Sequence, residues 1–239
     1  MGNLWKNVWN NKKSDEIVQG DEFTCYSKLK RLDGFDVNVE NEDEYYRSFY
    51  EAFHRLWNYI YDKTKAKSVF EIGCGSGPNL YLLQNKGIII GGVDYSSSLI
   101  EKAKEVLRIS DVFVGEAIET PLFPQYDILL SDSVFAYFQD VSYGEQVLEK
   151  MYEKAKKAIV LLELFDKDME NECISYRRNM MENYDELYKG LDKVFYPKEL
   201  FIKFAREHDC DIEFTQVSNQ FYWNSKYMYN CFLYKKLDK

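Results

Sequence analysis

One stretch of the sequence, residues 68–83 (SVFEIGCGSGPNLYLL), constrains the fold more than any other. A short apolar run at 69–72 leads directly into three glycines, Gly73, Gly75 and Gly77, and a helix-forming segment follows them. Glycine allows positive φ and lets a ligand approach the backbone closely. The order of these features predicts a strand, a tight turn and the beginning of a helix.

An acidic residue at the end of the next apolar run extends this pattern. Asp94 closes the run IIIGGVD, where its carboxylate can accept hydrogen bonds from two ribose hydroxyls. A dinucleotide fingerprint would need glycine at position 78, which is Pro78. A glycine-rich turn without a ligand is the alternative, but Glu71, the glycines and Asp94 in register favour a nucleoside-cofactor site.

The pattern E-x-G-x-G-x-G followed by a strand-end aspartate resembles the first two motifs of the class I S-adenosylmethionine (SAM)-dependent methyltransferases. The glycine turn supports a nucleoside site, and the resemblance specifies which cofactor. It implies SAM as the methyl donor and S-adenosylhomocysteine (SAH) as the product. The residues that it assigns to the cofactor in the first two strand–turn units are Glu71, Gly73, Cys74, Gly75, Gly77, Asp94 and Tyr95.

Two later strand ends complete the cofactor set that the resemblance implies. The family commonly has an Asp-Ala-like pair after the third strand, and its carboxylate takes the adenine amino group. This chain has Glu116, Ala117 and Ile118 there, with a carboxylate one methylene longer. Ser131, at the end of the fourth strand, belongs to a segment that resembles the family's fourth motif.

The same fourth motif supplies two of the three candidate catalytic residues. Methyl transfer requires alignment of the acceptor, and a hydroxyl acceptor also requires a base. We expect Asp132 to act as a base and Tyr137 to position the acceptor. His54, beside an aromatic helical stripe, is a second candidate base, with a packing role as the alternative. Glu163, at the end of the fifth strand, could face the acceptor or be solvated.

Strand and helix patterns alternate from residue 68 onwards, which predicts a parallel sheet covered by helices on both faces. With the resemblance, the expected fold class is α/β: a Rossmann-like sheet of seven mostly parallel strands with an antiparallel last strand, plus an N-terminal helical segment and a helical cap insertion. The predicted strands are 69–72, 88–93, 112–114, 128–130, 158–164, 212–217 and 228–234.

Four segments are predicted along the chain. They are an N-terminal helical or lid segment (1–62), a SAM-binding core (63–166), a helical cap insertion (167–195) and a C-terminal helix with the closing strands (196–239). Residues 21–42 show no clear period and predict a loop or lid. Trp5 and Trp9 could pack on the core or at the mouth of the cofactor site. Arg177-Arg178 could bind a phosphate or form a solvated helix face.

The composition limits the kinds of partner that the chain is expected to bind. The net charge of −9 argues against a broad nucleic-acid footprint. The five cysteines are scattered along the chain, so no metal site is expected. We expect their thiols to be reduced and the protein to be cytoplasmic. No apolar run reaches membrane-spanning length. The aromatic N-terminus could also pack on a second copy in a homodimer.

The last forty residues, with Phe195-Tyr196-Pro197 and 224–227, resemble class I methyltransferases of bacterial surface-glycan biosynthesis. This resemblance implies a small polar acceptor, such as a nucleotide-linked sugar or another glycan precursor, methylated on oxygen or nitrogen. Two alternatives stay open: a methyltransferase acting on tRNA or protein, and a SAM-binding protein without catalysis.

Overall fold

A seven-stranded sheet forms the centre of the computed structural model, which describes residues 4–12, 17–34, 41–108 and 111–236. The strands are β1 (Ser68–Ile72), β2 (Ile89–Asp94), β3 (Val112–Val114), β4 (Tyr126–Asp132), β5 (Ala155–Phe165), β6 (Cys210–Gln216) and β7 (Met228–Lys235). Their order is β3-β2-β1-β4-β5-β7-β6. Strands β1 to β5 pair in parallel, and β7 is antiparallel to both β5 and β6. The predicted fold class is confirmed.

Helices cover both faces of the sheet. They are α1 (Trp5–Asn10), α2 (Glu22–Leu32), α3 (Glu42–Thr64), α4 (Pro78–Asn85), α5 (Ser97–Val106), α6 (Val141–Lys154), α7 (Glu170–Met180), α8 (Tyr184–Leu187) and α9 (Lys198–Glu207). Successive strand residues point to opposite faces. Val69 of β1 therefore packs with α2 to α5, whereas its neighbour Phe70 packs with α6 and α9.

The N-terminal segment is more helical than its sequence suggested. Within residues 21–42, predicted as a loop or lid, 22–32 form α2, so that prediction is wrong there. Asp21 caps the helix by accepting a hydrogen bond from the Thr24 backbone at 2.7 Å. Tyr26 and Leu29 are buried against the core. Residues 35–40 lie outside the described part of the chain.

The insertion predicted at 167–195 begins where β5 ends and contains α7 and α8. Its chain returns to the sheet through a bridge between Asp166 and Tyr196, just before α9. The four segment boundaries stay predictions. Strands from the second segment (63–166) and the fourth segment (196–239) join in one sheet, so the sheet does not mark a boundary between them. Among the described residues, no helix is both long and apolar enough to cross a bilayer.

Candidate active site

A cavity of about 770 Å³ lies at the carboxyl ends of β1, β2, β4 and β5. Parallel strands present their carboxyl ends at one edge of a sheet, which is where ligands of such folds bind. Each of these strands contributes an acidic side chain to the wall, namely Glu71, Asp94, Asp132 and Glu163. Helices from the N-terminal segment and the insertion form the remaining walls.

Residues 73–77 form the glycine loop, and the first three of them line one side of the cavity. Gly73, Gly75 and Gly77 have φ of +71°, +53° and +84°. A Cβ atom on Gly73 would lie 2.4 Å from Val134 Cγ2, and one on Gly75 would lie 2.6 Å from Asp33 Oδ1. Both conformation and space therefore require glycine here.

Asp94 is tied to the glycine loop. Its Oδ2 accepts a hydrogen bond from Gly75 N at 3.0 Å, and its Oδ1 accepts one from Ser96 N at 2.8 Å. Burial raises the pKa of Asp94, while the two backbone N–H groups oppose that rise. Each carboxylate oxygen has a second lone pair, so the fixed side chain keeps acceptor capacity toward the cavity.

Glu71 is a buried carboxyl group with one unpaired oxygen. Its Oε1 accepts a hydrogen bond from Asn79 Nδ2 at 2.8 Å, whereas no described residue pairs with its Oε2. Burial raises the pKa of Glu71 well above its ordinary range. Buried polar atoms are nearly always paired in folded proteins. The unpaired oxygen therefore suits a donor group on a ligand.

Asp132 is held by two side chains from different elements. Asn79 Nδ2 donates to its Oδ2 at 2.9 Å, and Lys30 Nζ, from α2, lies 3.5 Å from the same oxygen. Burial disfavours the charge on Lys30, but Asp132 and other nearby carboxylates outweigh it and raise the pKa of Lys30. Because Asn79 and Lys30 both contact the same oxygen of Asp132, this geometry favours a positioning role for Asp132.

Glu163 and Ser133 face each other from neighbouring strand ends. The Ser133 hydroxyl donates to Glu163 Oε2. Burial, with the Asp132 charge beside it, raises the pKa of Glu163 to about 7. Of the two interpretations of Glu163, the structure favours the one in which it faces the acceptor, because this half-buried carboxyl group lines the cavity.

Lys193 and Tyr137 form the wall between the core and the insertion. Lys193 Nζ lies 3.4 Å from Tyr137 Oη and 4.7 Å from the centroid of the Phe165 ring. Burial, and then the charge of Arg177, lower the pKa of Lys193 to about 7. This ammonium group therefore gains or loses its proton near neutral pH.

The far wall of the cavity is aromatic and carries a buried guanidinium. Arg177, on α7, is only 5% exposed and donates from Nη2 to Asn224 Oδ1 at 2.9 Å. Its guanidinium carbon lies 4.7 Å from the Trp223 ring centroid. Tyr45 and Tyr222 line the same side. Such walls suit a flat or partly apolar ligand body.

Helix α1 closes the mouth of the cavity by linking its two sides. Trp5 Nε1 donates to the carbonyl of Asp192 in the insertion at 3.0 Å. The Ser96 hydroxyl donates to the carbonyl of Trp9 at 3.1 Å. Trp9 lines the cavity and Trp5 is buried, so the two tryptophans at the mouth fulfil both roles that the sequence left open.

Most residues predicted for the site meet at this cavity. Those that line it are Glu71, Gly73, Cys74, Gly75, Asp94, Tyr95, Glu116, Ala117, Asp132 and Tyr137. Gly77 is the N-cap residue of α4, Ser131 is buried behind the wall, and Ile118 packs against the core. Their proposed contact with the cofactor gains no support from their positions.

His54 lies away from the cavity wall, so its proposed role as a base is corrected. Its Nε2 is 3.6 Å from Glu22 Oε1, and its ring packs on Tyr50 with centroids 4.4 Å apart. Burial lowers the pKa of His54, and the charge of Lys86 adds to that effect. These contacts join α3 to α2, which is the packing role that the sequence left as the alternative.

Lys30, Asp33 and Lys193 line the cavity but were not predicted from the sequence. Asp33 Oδ1 accepts a hydrogen bond from Ser76 N in the glycine loop at 2.8 Å, and Lys30 lies one helical turn earlier on α2. The spacing of Lys30 and Asp33, at one end of a capped helix, was a usable signal once α2 was recognised. For Lys193, no local pattern indicated a site.

Comparison with known proteins agrees with this geometry. Residues 70–161 match the model of a methyltransferase domain family. The chain is 26% identical over 197 residues to an uncharacterized methyltransferase of Geobacillus sp. (strain WCH70), covering 80% of this chain and 91% of that protein. It is 34% identical over 100 residues to a malonyl-[acyl-carrier protein] O-methyltransferase of Priestia megaterium, covering 40% and 35% of the two chains.

Solved structures share the fold at low sequence identity. Magnesium protoporphyrin IX methyltransferase from Synechocystis PCC 6803 with bound SAH is 13% identical, with a TM-score of 0.63 over 89% of this chain and 95% of that one. The N-methyltransferase NodS from Bradyrhizobium japonicum WM9 is 15% identical, with a TM-score of 0.59 over 90% and 99%. These likenesses show the fold, whereas the domain match over residues 70–161 and the Geobacillus relative support a SAM-dependent methyltransferase.

The residues on the glycine-loop side of the cavity fit SAM. Asp94 has acceptor capacity for ribose hydroxyls, and the unpaired Oε2 of Glu71 suits the cofactor's ammonium group. Tyr95 offers a ring beside them. Glu116, the residue expected at the adenine amino group, is paired with Lys6 of α1, so this contact would involve a shared carboxylate.

Proposed function

We propose that the protein transfers the methyl group of SAM to an oxygen or nitrogen of a small polar acceptor that binds beside Tyr137, Arg177 and Tyr222. One observation carries this proposal: the cavity continues from the glycine loop to the aromatic wall of the insertion. Its volume of about 770 Å³ lies in the range of small-molecule sites, roughly 300–1,000 Å³. We assign the part of the cavity lined by Tyr137, Arg177 and Tyr222 to the acceptor.

The chain's own task in this reaction is alignment and proton removal. SAM supplies a methyl group activated by a sulfonium charge. Tyr137, held near Lys193, lies where it can orient the acceptor, and we propose that Glu163 receives the acceptor's proton. A carboxylate with a pKa of about 7 is well matched to that task near neutral pH. Asp132, paired with Lys30, keeps a positioning role in this proposal.

Two observations favour a small acceptor over tRNA or protein. The net charge of −9 disfavours a phosphate backbone, and α1 bridges the mouth through Trp5 and Asp192. A glycan precursor is one such small acceptor, but the segment that suggested it has another task here. Asn224 holds Arg177 in place rather than marking a sugar site. The homodimer stays a prediction.

The test is a transfer assay with methyl-labelled SAM and the full chain. The acceptor pools are sugar nucleotides, phosphorylated amines, aromatic carboxylic acids and total tRNA. Asp94→Ala serves as the blank, and Asp62→Ala, an exposed aspartate paired with Lys65, is the matched control. We expect label in a small-molecule pool with the wild type and Asp62→Ala, and none with Asp94→Ala.

Other outcomes would contradict the proposal in distinct ways. Label in tRNA alone would move the acceptor to the macromolecular class. SAM binding without label in any pool would favour the alternative of a SAM-binding protein without catalysis.

A further inference from the structure

Arg177 is a buried charge without an acidic partner. Among the described residues, no carboxylate lies within 4.0 Å of its guanidinium, and Nη2 donates to the neutral amide of Asn224. Its neighbour Arg178 is exposed and pairs with Asp185 at 2.9 Å. Burial of a charge without a counter-ion is costly, and an anionic ligand would supply the counter-ion that Arg177 lacks.

A second cation lies over the same aromatic ring. The guanidinium carbon of Arg177 is 5.9 Å, and Lys193 Nζ is 4.7 Å, from the centroid of the Phe165 ring. Both side chains line the cavity. Two like charges held this close repel each other, and an anion between them would stabilise both.

The rings around these cations indicate what the anion is attached to. Trp223 lies under the guanidinium of Arg177, and Tyr188 lies 5.7 Å from it. Tyr222 forms the adjoining wall, is half-buried and packs edge-on against Phe49. A planar body could pack on these rings while its charged group reaches Arg177 and Lys193.

We propose that Arg177 and Lys193 form an anion subsite, so that the acceptor is a small, flat molecule that carries a carboxylate or a phosphate. This inference rests on the proposed function, which assigns this half of the cavity to the acceptor. Asn224 acts as a positioning residue, because it touches Arg177 rather than the anion. A guanidinium can bind either anion with two parallel hydrogen bonds.

The test uses the full chain saturated with SAH and three small probes: benzoate, phenyl phosphate and the neutral benzamide. Calorimetry should show that at least one anion binds about tenfold or more tightly than benzamide. Whichever anion binds more tightly identifies the group, carboxylate or phosphate. Arg177→Gln should abolish the preference, Lys193→Gln should weaken it, and the matched control Arg178→Gln should retain it.

Three results would overturn the subsite. In the wild type, benzamide could bind as tightly as either anion. This result does not depend on whether any variant folds. The preference could survive in Arg177→Gln. Arg177→Gln could lose SAH as strongly as it loses the anions, which would assign the guanidinium to the cofactor's carboxylate. A clear anion preference without methyl transfer to any acceptor would leave the subsite standing and contradict the proposed function.

Discussion

Ser133 and Glu163, at the carboxyl ends of the neighbouring strands β4 and β5, hydrogen-bond to each other, and both have left-handed backbones with φ of +60° and +57°. Non-glycine residues adopt this conformation at an energetic cost of roughly 1–3 kcal/mol, and such residues cluster at functional sites. The Glu163 backbone is held by a hydrogen bond from its N–H to Asn230 Oδ1 at 3.0 Å. The fold thus fixes one carboxyl group toward the cavity.

Glu163→Gln should reduce the rate of methyl transfer about 100-fold or more, because general bases contribute roughly 10²–10⁴-fold. The amide keeps the shape and the contact with Ser133 but cannot take a proton. SAH affinity should stay at the wild-type value. Glu213→Gln, on edge strand β6 and paired with Lys63, is the control. Wild-type turnover in Glu163→Gln at saturating SAM would exclude Glu163 as the base.

The affinity for the anionic probe should fall as pH rises through 7. Lys193 faces Arg177, Glu163, Cys173 and Tyr137, and its pKa of about 7 means that it loses its charge in this range. Glu163, also with a pKa of about 7, gains a negative charge in the same range, so both changes disfavour an anion. Calorimetry with benzoate at pH 6 and pH 8 measures the effect.

In the same measurement, Lys193→Gln should show a weaker dependence on pH, and Arg178→Gln should match the wild type. Loss of one linked proton changes an affinity by at most about tenfold per pH unit. An affinity that rises with pH would contradict the assignment of both groups.

Gly75→Ala and Gly87→Ala separate backbone strain from a role in the site. Both positions have positive φ, +53° and +75°, so each substitution should destabilise the fold by roughly 1–2 kcal/mol. Only a Cβ on Gly75 meets the Asp33 carboxylate, whereas a Cβ on Gly87 meets nothing within 4 Å. SAH affinity should fall at least about tenfold in Gly75→Ala and stay unchanged in Gly87→Ala. Equal SAH affinities in the two variants would show that the close contact between Gly75 and Asp33 is unimportant for cofactor binding.

Asp33→Asn should change how stability depends on pH in the cofactor-free protein. Burial raises the pKa of Asp33 from 3.8 to about 7, although the Ser76 N–H opposes this. Between these values the folded state keeps the proton and the unfolded state releases it, so the free energy of unfolding decreases as pH rises from about 4 to about 7. Urea unfolding at pH 5 and pH 8 should show a smaller decrease for Asp33→Asn than for the wild type.

Asp43→Asn, an exposed aspartate paired with Arg47, should behave like the wild type in that experiment. The same decrease in Asp33→Asn and the wild type would contradict the burial of an ionisable carboxyl group under the glycine loop.

The cofactor side of the cavity could be predicted because the residues that form it lie in short, recognisable stretches of the sequence. A strand, a glycine turn and a strand-end acid follow one another within short stretches, and the sheet places their ends together. Gly73, Gly75 and Asp94 therefore lie where the sequence predicted. The mostly parallel sheet followed from the alternation of strand and helix patterns, and the antiparallel β7 followed from the family resemblance.

The acceptor side could not be predicted, because it depends on contacts between distant segments. Lys30 reaches Asp132 from a helix that the sequence analysis took for a loop, although Asp21 offered a capping signal. Lys193 and Arg177 meet through the folding of the insertion against Phe165. His54 illustrates the converse, since a chemically suitable residue packs away from the site.

The most direct test of the account is calorimetry with SAH on the wild type, Asp94→Ala and Arg177→Gln. In the proposed function, the cavity has a cofactor side at Asp94 and an acceptor side at Arg177. This division predicts one SAH site per chain with micromolar affinity in the wild type and in Arg177→Gln, and loss of binding in Asp94→Ala. Undiminished SAH binding by Asp94→Ala, or equal losses in the two variants, would contradict it.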